Sequence, residues 1–238
     1  MKRTLGLLGI LVCVSVGVFM FSCNAEKHLF TQKIDEGRIV YDVSYPELED
    51  GHMMTSILPN EMTISFKGNR YNSEFNTYGG VFKSKICVDA STREYAQALK
   101  VFKKKLACDF DPVDIEEMLS DFPAFSIVPS GQVDTIAGIA CKVAHGVFYD
   151  LTSSNIKIYY TDMIGVENPN WCSPFDELDG FLMAYDLDMF DMRLRLTAKD
   201  LSMQEVDEEE FGISDDYKQV SYKYIKTEIE KLMMSFDI

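Results

Sequence analysis

The feature that most constrains the fold is a series of short segments after residue 36 in which apolar and polar residues alternate. In the first of them, Ile39, Tyr41, Val43 and Tyr45 share one face, and Pro46 follows directly. A period of two is typical of a strand with one buried face, and proline ends such a strand. Similar patterns predict strands at 61–66, 71–75, 81–88, 94–102, 125–128, 139–149, 155–161, 181–187, 192–198 and 201–206.

Short connections and two helix signals set the architecture. Gly68-Asn69 lies between two predicted strands and is typical of a hairpin turn, so a meander is the simplest arrangement. Asp111-Pro112 predicts the start of a helix that Pro123 ends, and residues 214–236 have apolar residues at helical spacing. A meander with a mid-chain helix and a C-terminal amphipathic helix predicts an α+β fold in which helices cover one face of an antiparallel sheet.

The N-terminus has the parts of an export signal. Lys2 and Arg3 precede an apolar run at residues 5–21, and Ser22 follows it. A helix of that run would span roughly 25 Å, less than the roughly 30 Å of bilayer hydrocarbon. Cleavage is therefore favoured over an uncleaved membrane span.

The run Met20-Phe21-Ser22-Cys23 resembles a bacterial lipobox. This resemblance implies a lipoprotein signal peptide at 1–22 and acylation of Cys23, with palmitate among the acyl groups. An ordinary secreted protein and an uncleaved anchor are the alternatives. We expect a tether at 23–36, a single β-rich domain at 37–238, and a cell-envelope location with the lipid anchor in the outer membrane, facing the periplasm.

The excess of acidic residues limits the kinds of molecule that the chain can bind. The chain has 23 basic and 38 acidic residues, a formal net charge of −15. Such a chain is repelled by phosphate backbones, which argues against nucleic-acid binding. The acidic run at 207–210 is predicted to be a solvated loop.

Four cysteines lie within the predicted domain: Cys87, Cys108, Cys141 and Cys172. In an exported protein they could form up to two disulfides, and the sequence does not choose among the three connectivities. Inert buried thiols are the alternative. The cysteines are widely spaced, whereas cysteine pairs that bind metal usually lie about two to four residues apart, so we expect no metal site.

Several short motifs resemble the exported, functionally unassigned proteins of Bacteroidetes-type bacteria related to the GLPGLI group. They are Gly37-x-Ile-x-Tyr41, the run 136–142 with its glycine and cysteine, the Tyr-Thr at 160–161, and Gly180-Phe-Leu-Met183. Residues 177–180, Glu-Leu-Asp-Gly, stand where that group has its signature. The resemblance implies a strongly curved antiparallel sheet, a half-barrel with helices in its concavity, similar to periplasmic lipoprotein carriers.

No catalytic motif is present. The three histidines have no metal-binding spacing, and neither a serine-nucleophile signature nor a phosphate loop occurs. Aspartates at 186, 188 and 191 bracket a turn and could offer oxygens to Ca²⁺, but turn residues that cap backbone amides are the better interpretation. We therefore expect a protein that is not an enzyme and has no cofactor.

The apolar content gives the functional hint. Sixteen phenylalanines, twelve tyrosines and thirteen methionines are more than a small sheet must bury. These side chains could simply fill the core, or they could line an adaptable pocket for an apolar or lipid ligand. An envelope scaffold that contacts a protein partner is the alternative function. The candidate pocket residues are Met53, Met54, Met118, Met183, Met233 and Phe236.

Overall fold

A curved, mostly antiparallel sheet of twelve strands dominates the computed structural model, and it does not close on itself. The structure describes residues 33–48, 58–77, 82–149, 154–189 and 192–234. Within these ranges, the predicted α+β class with a mid-chain and a C-terminal helix is confirmed. Ile34–Ile238 form one compact unit, which begins slightly before the predicted domain start at residue 37.

The described elements follow one another in this order. The strands are β1 (Glu36–Ser44), β2 (Glu61–Lys67), β3 (Arg70–Asn76), β4 (Phe82–Asp89), β5 (Glu94–Val101), β6 (Lys104–Asp109), β7 (Phe125–Ile136), β8 (Ile139–Phe148), β9 (Ile156–Thr161), β10 (Phe181–Met189), β11 (Met192–Ser202) and β12 (Lys218–Gln219). Helix α1 (Pro112–Ser120) lies between β6 and β7, a 3₁₀ turn (Glu208–Phe211) follows β11, and helix α2 (Tyr222–Met234) follows β12. None of the helices in the described residues is both long and apolar enough to cross a membrane.

The strand order places the first strand in the middle of the sheet. From edge to edge the order is β12-β6-β5-β4-β3-β2-β1-β11-β10-β9-β8-β7. The strands β1–β6 pair in sequence, as do β7–β11, and the two series meet where β1 lies antiparallel to β11 with Arg38 opposite Ser202. The sheet is thus two meanders joined at a pairing between distant parts of the chain, which refines the single meander of the sequence prediction.

Local sequence signals explain several elements. The β2–β3 hairpin turns at Gly68, whose φ of +57° is a conformation that glycine adopts without a Cβ penalty. At the start of α1, the Asp111 carboxylate accepts hydrogen bonds from the amides of Val113 (2.8 Å) and Asp114 (2.9 Å). Asp114 accepts one in return from the Asp111 amide, and Pro112 occupies the first turn. Both features follow the sequence prediction.

Other elements differ from the prediction. Strand β6 was not predicted, because its turn is made by Phe102 at φ +53° and by lysines rather than by glycine or asparagine. The predicted strand at 201–206 is instead the end of β11, which runs to Ser202. The predicted helix at 214–236 starts only at Tyr222, because the preceding residues add β12 to the edge of β6.

The acidic run at 207–210 is exposed at residues 207–209, as predicted for a solvated loop, and lies against the sheet through half-buried Glu210. The Glu210 carboxylate accepts hydrogen bonds from Arg38 (2.9 Å) and Ser65 (2.9 Å), and its backbone carbonyl accepts one from Asn72 (2.8 Å). Arg38 and Ser65 alternate along their strands with buried Ile39 and Ile64, so they lie on the opposite face of the sheet from the main core. The run therefore caps one face, while the helices and the apolar core occupy the other.

Candidate ligand-binding cavity

A partly open cavity of about 1330 Å³ lies on the face of the sheet that carries the core. Side chains of β2–β5 and of β10–β11 form its floor, so both meanders contribute to it. Residues of α1, of α2 and of the loop 162–180 form the rest of the wall. The cavity is thus the space inside the curved sheet that the helices leave unfilled.

The floor follows from strand periodicity. On β3 and β4, every second residue lines the cavity, because alternate side chains of a strand point to the same face, and Met192, Leu194 and Leu196 follow the same spacing at the start of β11. Most of these residues are apolar or aromatic. They include Tyr71 and Phe75 on β3, Phe82, Ile86 and Val88 on β4, and Met192, Leu194 and Leu196 on β11.

Helix α2 presents one face to the cavity. Tyr222, Lys226, Ile229 and Met233 all line it, and residues three or four apart share a helix face. The start of the helix is fixed by buried Tyr222 and Ile225, which pack with Leu99, Leu106 and Cys108. The apolar stripe predicted for this segment therefore serves both to anchor the helix and to cover the cavity.

The loop 162–180 forms a wall that hydrogen bonds hold in place. Tyr71 on β3 donates a hydrogen bond from its hydroxyl to the Pro169 carbonyl (2.7 Å). The buried Asn170 carboxamide donates to the carbonyls of Leu178 (2.9 Å) and Gly180 (2.8 Å). These bonds fix the loop, whose Phe175 is almost fully buried and lines the cavity.

Polar groups interrupt the apolar lining at a few positions. Ser73, Ser84 and Gln97 stand on the apolar faces of β3, β4 and β5, and the Gln97 amide donates to the Ser84 hydroxyl at 3.5 Å. Tyr185 also lines the cavity, and burial raises the pKa of Tyr185 above its ordinary value, so its hydroxyl stays protonated at neutral pH. Sequence reasoning missed these residues, although polar residues in an otherwise apolar strand row were the available signal.

Ion pairs lie at the rim of the cavity. Arg193 holds Asp188 through two hydrogen bonds of 2.7 Å each, and Lys226 of α2 lies 2.6 Å from the Asp121 carboxylate at the end of α1. Asp186 is held in the same bidentate way by Arg195. The aspartates at 186 and 188 therefore neutralise arginines of the neighbouring strand rather than cap a turn. In the described residues, no cluster of three or more potential ligands could hold a metal ion.

Comparisons with known proteins identify no family. No family model matches the chain, and no curated protein matches it. The resemblance to the GLPGLI-related group thus finds no support in these sequence comparisons.

Solved structures align with the chain at low similarity. MucB in complex with MucA(peri) is 9% identical, with 78% of this chain and 56% of that chain covered and a TM-score of 0.31. A β-barrel-like protein with a domain of unknown function from Brucella abortus is 9% identical, with coverage of 73% and 100% and a TM-score of 0.34. LprF from Mycobacterium bovis is 11% identical, with coverage of 78% and 90% and a TM-score of 0.28. The chain spans little more than half the length of MucB.

Only some of the methionines that were predicted to line the pocket do so in the structure. Met118 and Met233 line the cavity, whereas Met183 is fully buried in the core beside Tyr41 and is not part of the lining. The reason is that Met183 lies next to a register irregularity of β10, which changes the face to which its neighbours point. Other methionines line the cavity in its place, namely Met62, Met189 and Met192. The predicted residues Met53, Met54 and Phe236, and the lipidation site Cys23, lie outside the described residues.

The four domain cysteines are buried free thiols, and the disulfides considered from the sequence are absent from the structure. Cys87 and Cys108 lie on β4 and β6 with β5 between them, about two strand spacings or roughly 9.5 Å apart. That exceeds the roughly 7 Å limit for a disulfide. Burial raises the pKa of Cys108 and of Cys141 to about 11 and that of Cys172 to about 12. These values correspond to inert thiols at neutral pH.

Proposed function

We propose that the domain is a non-enzymatic binding module for an apolar or lipid ligand, held at the cell envelope by an acylated Cys23. The observation that carries this proposal is the large, partly open cavity. Its volume of about 1330 Å³ exceeds the roughly 300–1,000 Å³ of ordinary small-molecule pockets. The core-bearing face of the sheet thus has a large, partly open and mostly apolar space, and such a space is suited to a ligand.

The lining supplies the driving force for such a ligand. Tyr71, Phe75 and Leu187 are half-buried and offer apolar surface, and Met189 offers a side chain that adapts to irregular shapes. Each methylene that an acyl chain buries there contributes roughly 0.8 kcal/mol. A chain of ordinary lipid length therefore binds without any charged contact.

The proposed anchor brings the cavity close to its ligand source. The segment between Cys23 and Ile34 reaches at most about 35–40 Å when extended. Several acyl chains on one residue give stable attachment, since a single chain is held only reversibly. A lipid-binding domain on such a tether remains at the membrane that contains its ligand.

Lipid copurification tests this function. We expect the anchored protein, purified in detergent from cells, to carry a bound lipid that native mass spectrometry detects as a discrete added mass. The same preparation should exclude an apolar fluorescent dye until the lipid is extracted. A ligand-free spectrum from protein whose cavity also fails to take up the dye would contradict the proposal.

One observation favours a second function, contact with a protein partner. Strand β7 is an edge of the sheet, is twelve residues long, and exposes Val128 (49%) and Val133 (70%). An exposed edge strand is a template for pairing with another chain. A stoichiometric protein that copurifies with the native chain and is lost in Val133→Lys would support this function.

A further inference from the structure

We propose that the cavity selects uncharged amphiphiles and discriminates against ligands whose headgroup is a carboxylate or a phosphate. This inference rests on the proposed apolar-ligand function and adds the chemical class of the ligand. It follows from the charges at the rim and from the uncharged hydrogen-bonding groups within the lining.

Both cations that line the cavity in the described residues are already paired with aspartates, so neither is available to an anionic headgroup. The cations that line the cavity in the described residues are Arg193 and Lys226. The Arg193 guanidinium is committed to Asp188 by two hydrogen bonds of 2.7 Å, and its side chain is only 11% exposed. The Lys226 ammonium is held by Asp121 at 2.6 Å. A ligand carboxylate would have to displace one of these partners and leave an unpaired charge behind.

The cavity lining also includes carboxylates that accept no hydrogen bond from a basic side chain in the described residues. Glu47 lines the cavity and forms only a long ion pair of 4.0 Å with Arg193, which already has Asp188 as its hydrogen-bonded partner, and the Glu47 side chain is 59% exposed. Glu230 of α2 also lines the cavity, and within the described residues no basic side chain pairs with it. Four carboxylates therefore face two cations around the cavity. This excess of negative charge repels an approaching anion.

The undescribed residues beyond residue 48 do not offset the excess of carboxylates over cations around the cavity. The stretches 49–57, 78–81, 150–153, 190–191 and 235–238 complete the chain beyond residue 48. They contain five acidic residues and no lysine or arginine. None of these connections can therefore supply a cation to a headgroup.

The lining offers uncharged partners instead. Tyr185 lines the cavity with its ring against that of Phe175, and within the described residues no group forms a hydrogen bond with its hydroxyl. Gln97 donates its amide to Ser84 at 3.5 Å, and its carbonyl oxygen has no partner in the described part of the chain. The Tyr185 hydroxyl can donate to an ester or ketone oxygen of a neutral amphiphile, and the Gln97 amide oxygen can accept from its hydroxyl.

A competition between ligands of equal chain length tests the inference. The full anchored protein in non-ionic detergent is incubated at pH 8 with equal amounts of 1-monopalmitoylglycerol and palmitate, and native mass spectrometry measures the ratio of the two bound masses. We expect the neutral ester to predominate by roughly tenfold. Equal binding, or a preference for palmitate, would overturn the selectivity while leaving the apolar-ligand function intact. If neither ligand adds mass to delipidated protein, the proposed function fails and this inference fails with it.

Palmitate and its glycerol ester partition differently into detergent. Comparing two variants that carry the same change of charge cancels this difference. Glu230→Lys places a cation at the rim and should lower the ratio of ester to palmitate by about threefold or more. Glu205→Lys makes the same change of charge on the exposed segment after β11, away from the cavity lining, and should leave the ratio unchanged. Equal effects of the two variants would show that overall charge, rather than the rim, sets the preference and would refute the proposal.

Discussion

The hydroxyl of Tyr41 donates a hydrogen bond of 2.7 Å to the backbone carbonyl of Leu182, and it does so in the fully buried core. Tyr41 lies on β1 and Leu182 on β10, so the bond spans the intervening strand β11. It is made at the register irregularity between Leu182 and Ala184, where a regular ladder partner is lost. One side chain thereby satisfies a buried carbonyl and ties the two meanders together.

Removing that hydroxyl should weaken the fold. Tyr41→Phe leaves the Leu182 carbonyl buried without a partner, and we expect the free energy of unfolding to fall by about 1–3 kcal/mol. Urea denaturation followed by circular dichroism measures the change. Tyr149→Phe is the matched control, because Tyr149 is 72% exposed. A loss of equal size in both variants would contradict the role given to Tyr41.

Filling the cavity should abolish ligand binding while preserving the fold. Ser73 lines the cavity on β3, so Ser73→Trp adds a ring to that space and should lower copurified lipid by roughly tenfold. Asn76→Trp, at an exposed position on the same strand, should have no such effect. Lipid extracted from equal amounts of each protein is quantified by mass spectrometry. Full retention of lipid in Ser73→Trp would place the ligand elsewhere.

The buried thiols should make stability depend on alkaline pH. Burial raises the folded-state pKa of Cys141 to about 11 and that of Cys172 to about 12, above the ordinary value of about 8.5 in the unfolded chain. Their contribution is complete below about pH 8.5 and is lost progressively as the pH rises towards these folded-state values. We expect the urea midpoint to fall between about pH 8.5 and 10, and Cys172→Ala to reduce that slope. An identical slope in the variant would exclude Cys172 as a source.

The same thiols should resist modification in the native protein. At pH 7.5 a disulfide reagent should leave Cys87, Cys108, Cys141 and Cys172 unreacted, and it should titrate four domain thiols after denaturation in urea. Fewer than four under reducing-agent-free conditions would reveal disulfides that the structure does not contain.

The anchor is tested at Cys23. Cys23→Ser removes the acylation site and should move the protein from the membrane fraction to the soluble fraction after lysis. Cys13→Ser, within the apolar run of the signal, is the matched control and should remain membrane-bound. Retention of both variants would indicate an uncleaved N-terminal span.

The sequence predicted the local elements well and the long-range arrangement poorly. The Gly68 turn and the Asp111 cap are decided by neighbouring residues, so their residue types alone were sufficient. The pairing of β1 with β11 was not predictable in this way, because an alternating pattern determines which face is buried but not which strand lies alongside.

At the candidate site, too, the sequence predicted the local character of the residues but not their arrangement in space. The abundance of phenylalanine, tyrosine and methionine predicted an apolar pocket, yet it could not separate core Met183 from cavity-lining Met233. That distinction depends on where α2 crosses the sheet and on the irregularity in β10. That the Tyr185 hydroxyl has no partner among the described residues likewise becomes visible only when its surroundings are known.

The central place of β1 has a consequence for the order in which the protein can fold. The first strand of the domain pairs on one side with β2, which follows it closely, and on the other side with β11, with Arg38 opposite Ser202. Contacts between such distant residues form slowly, because a long loop must close before they contribute. The cavity cannot exist until β11 has emerged, so no ligand can be captured by a partly synthesised chain. The binding site of such a domain therefore forms only late in synthesis, after β11 has been made.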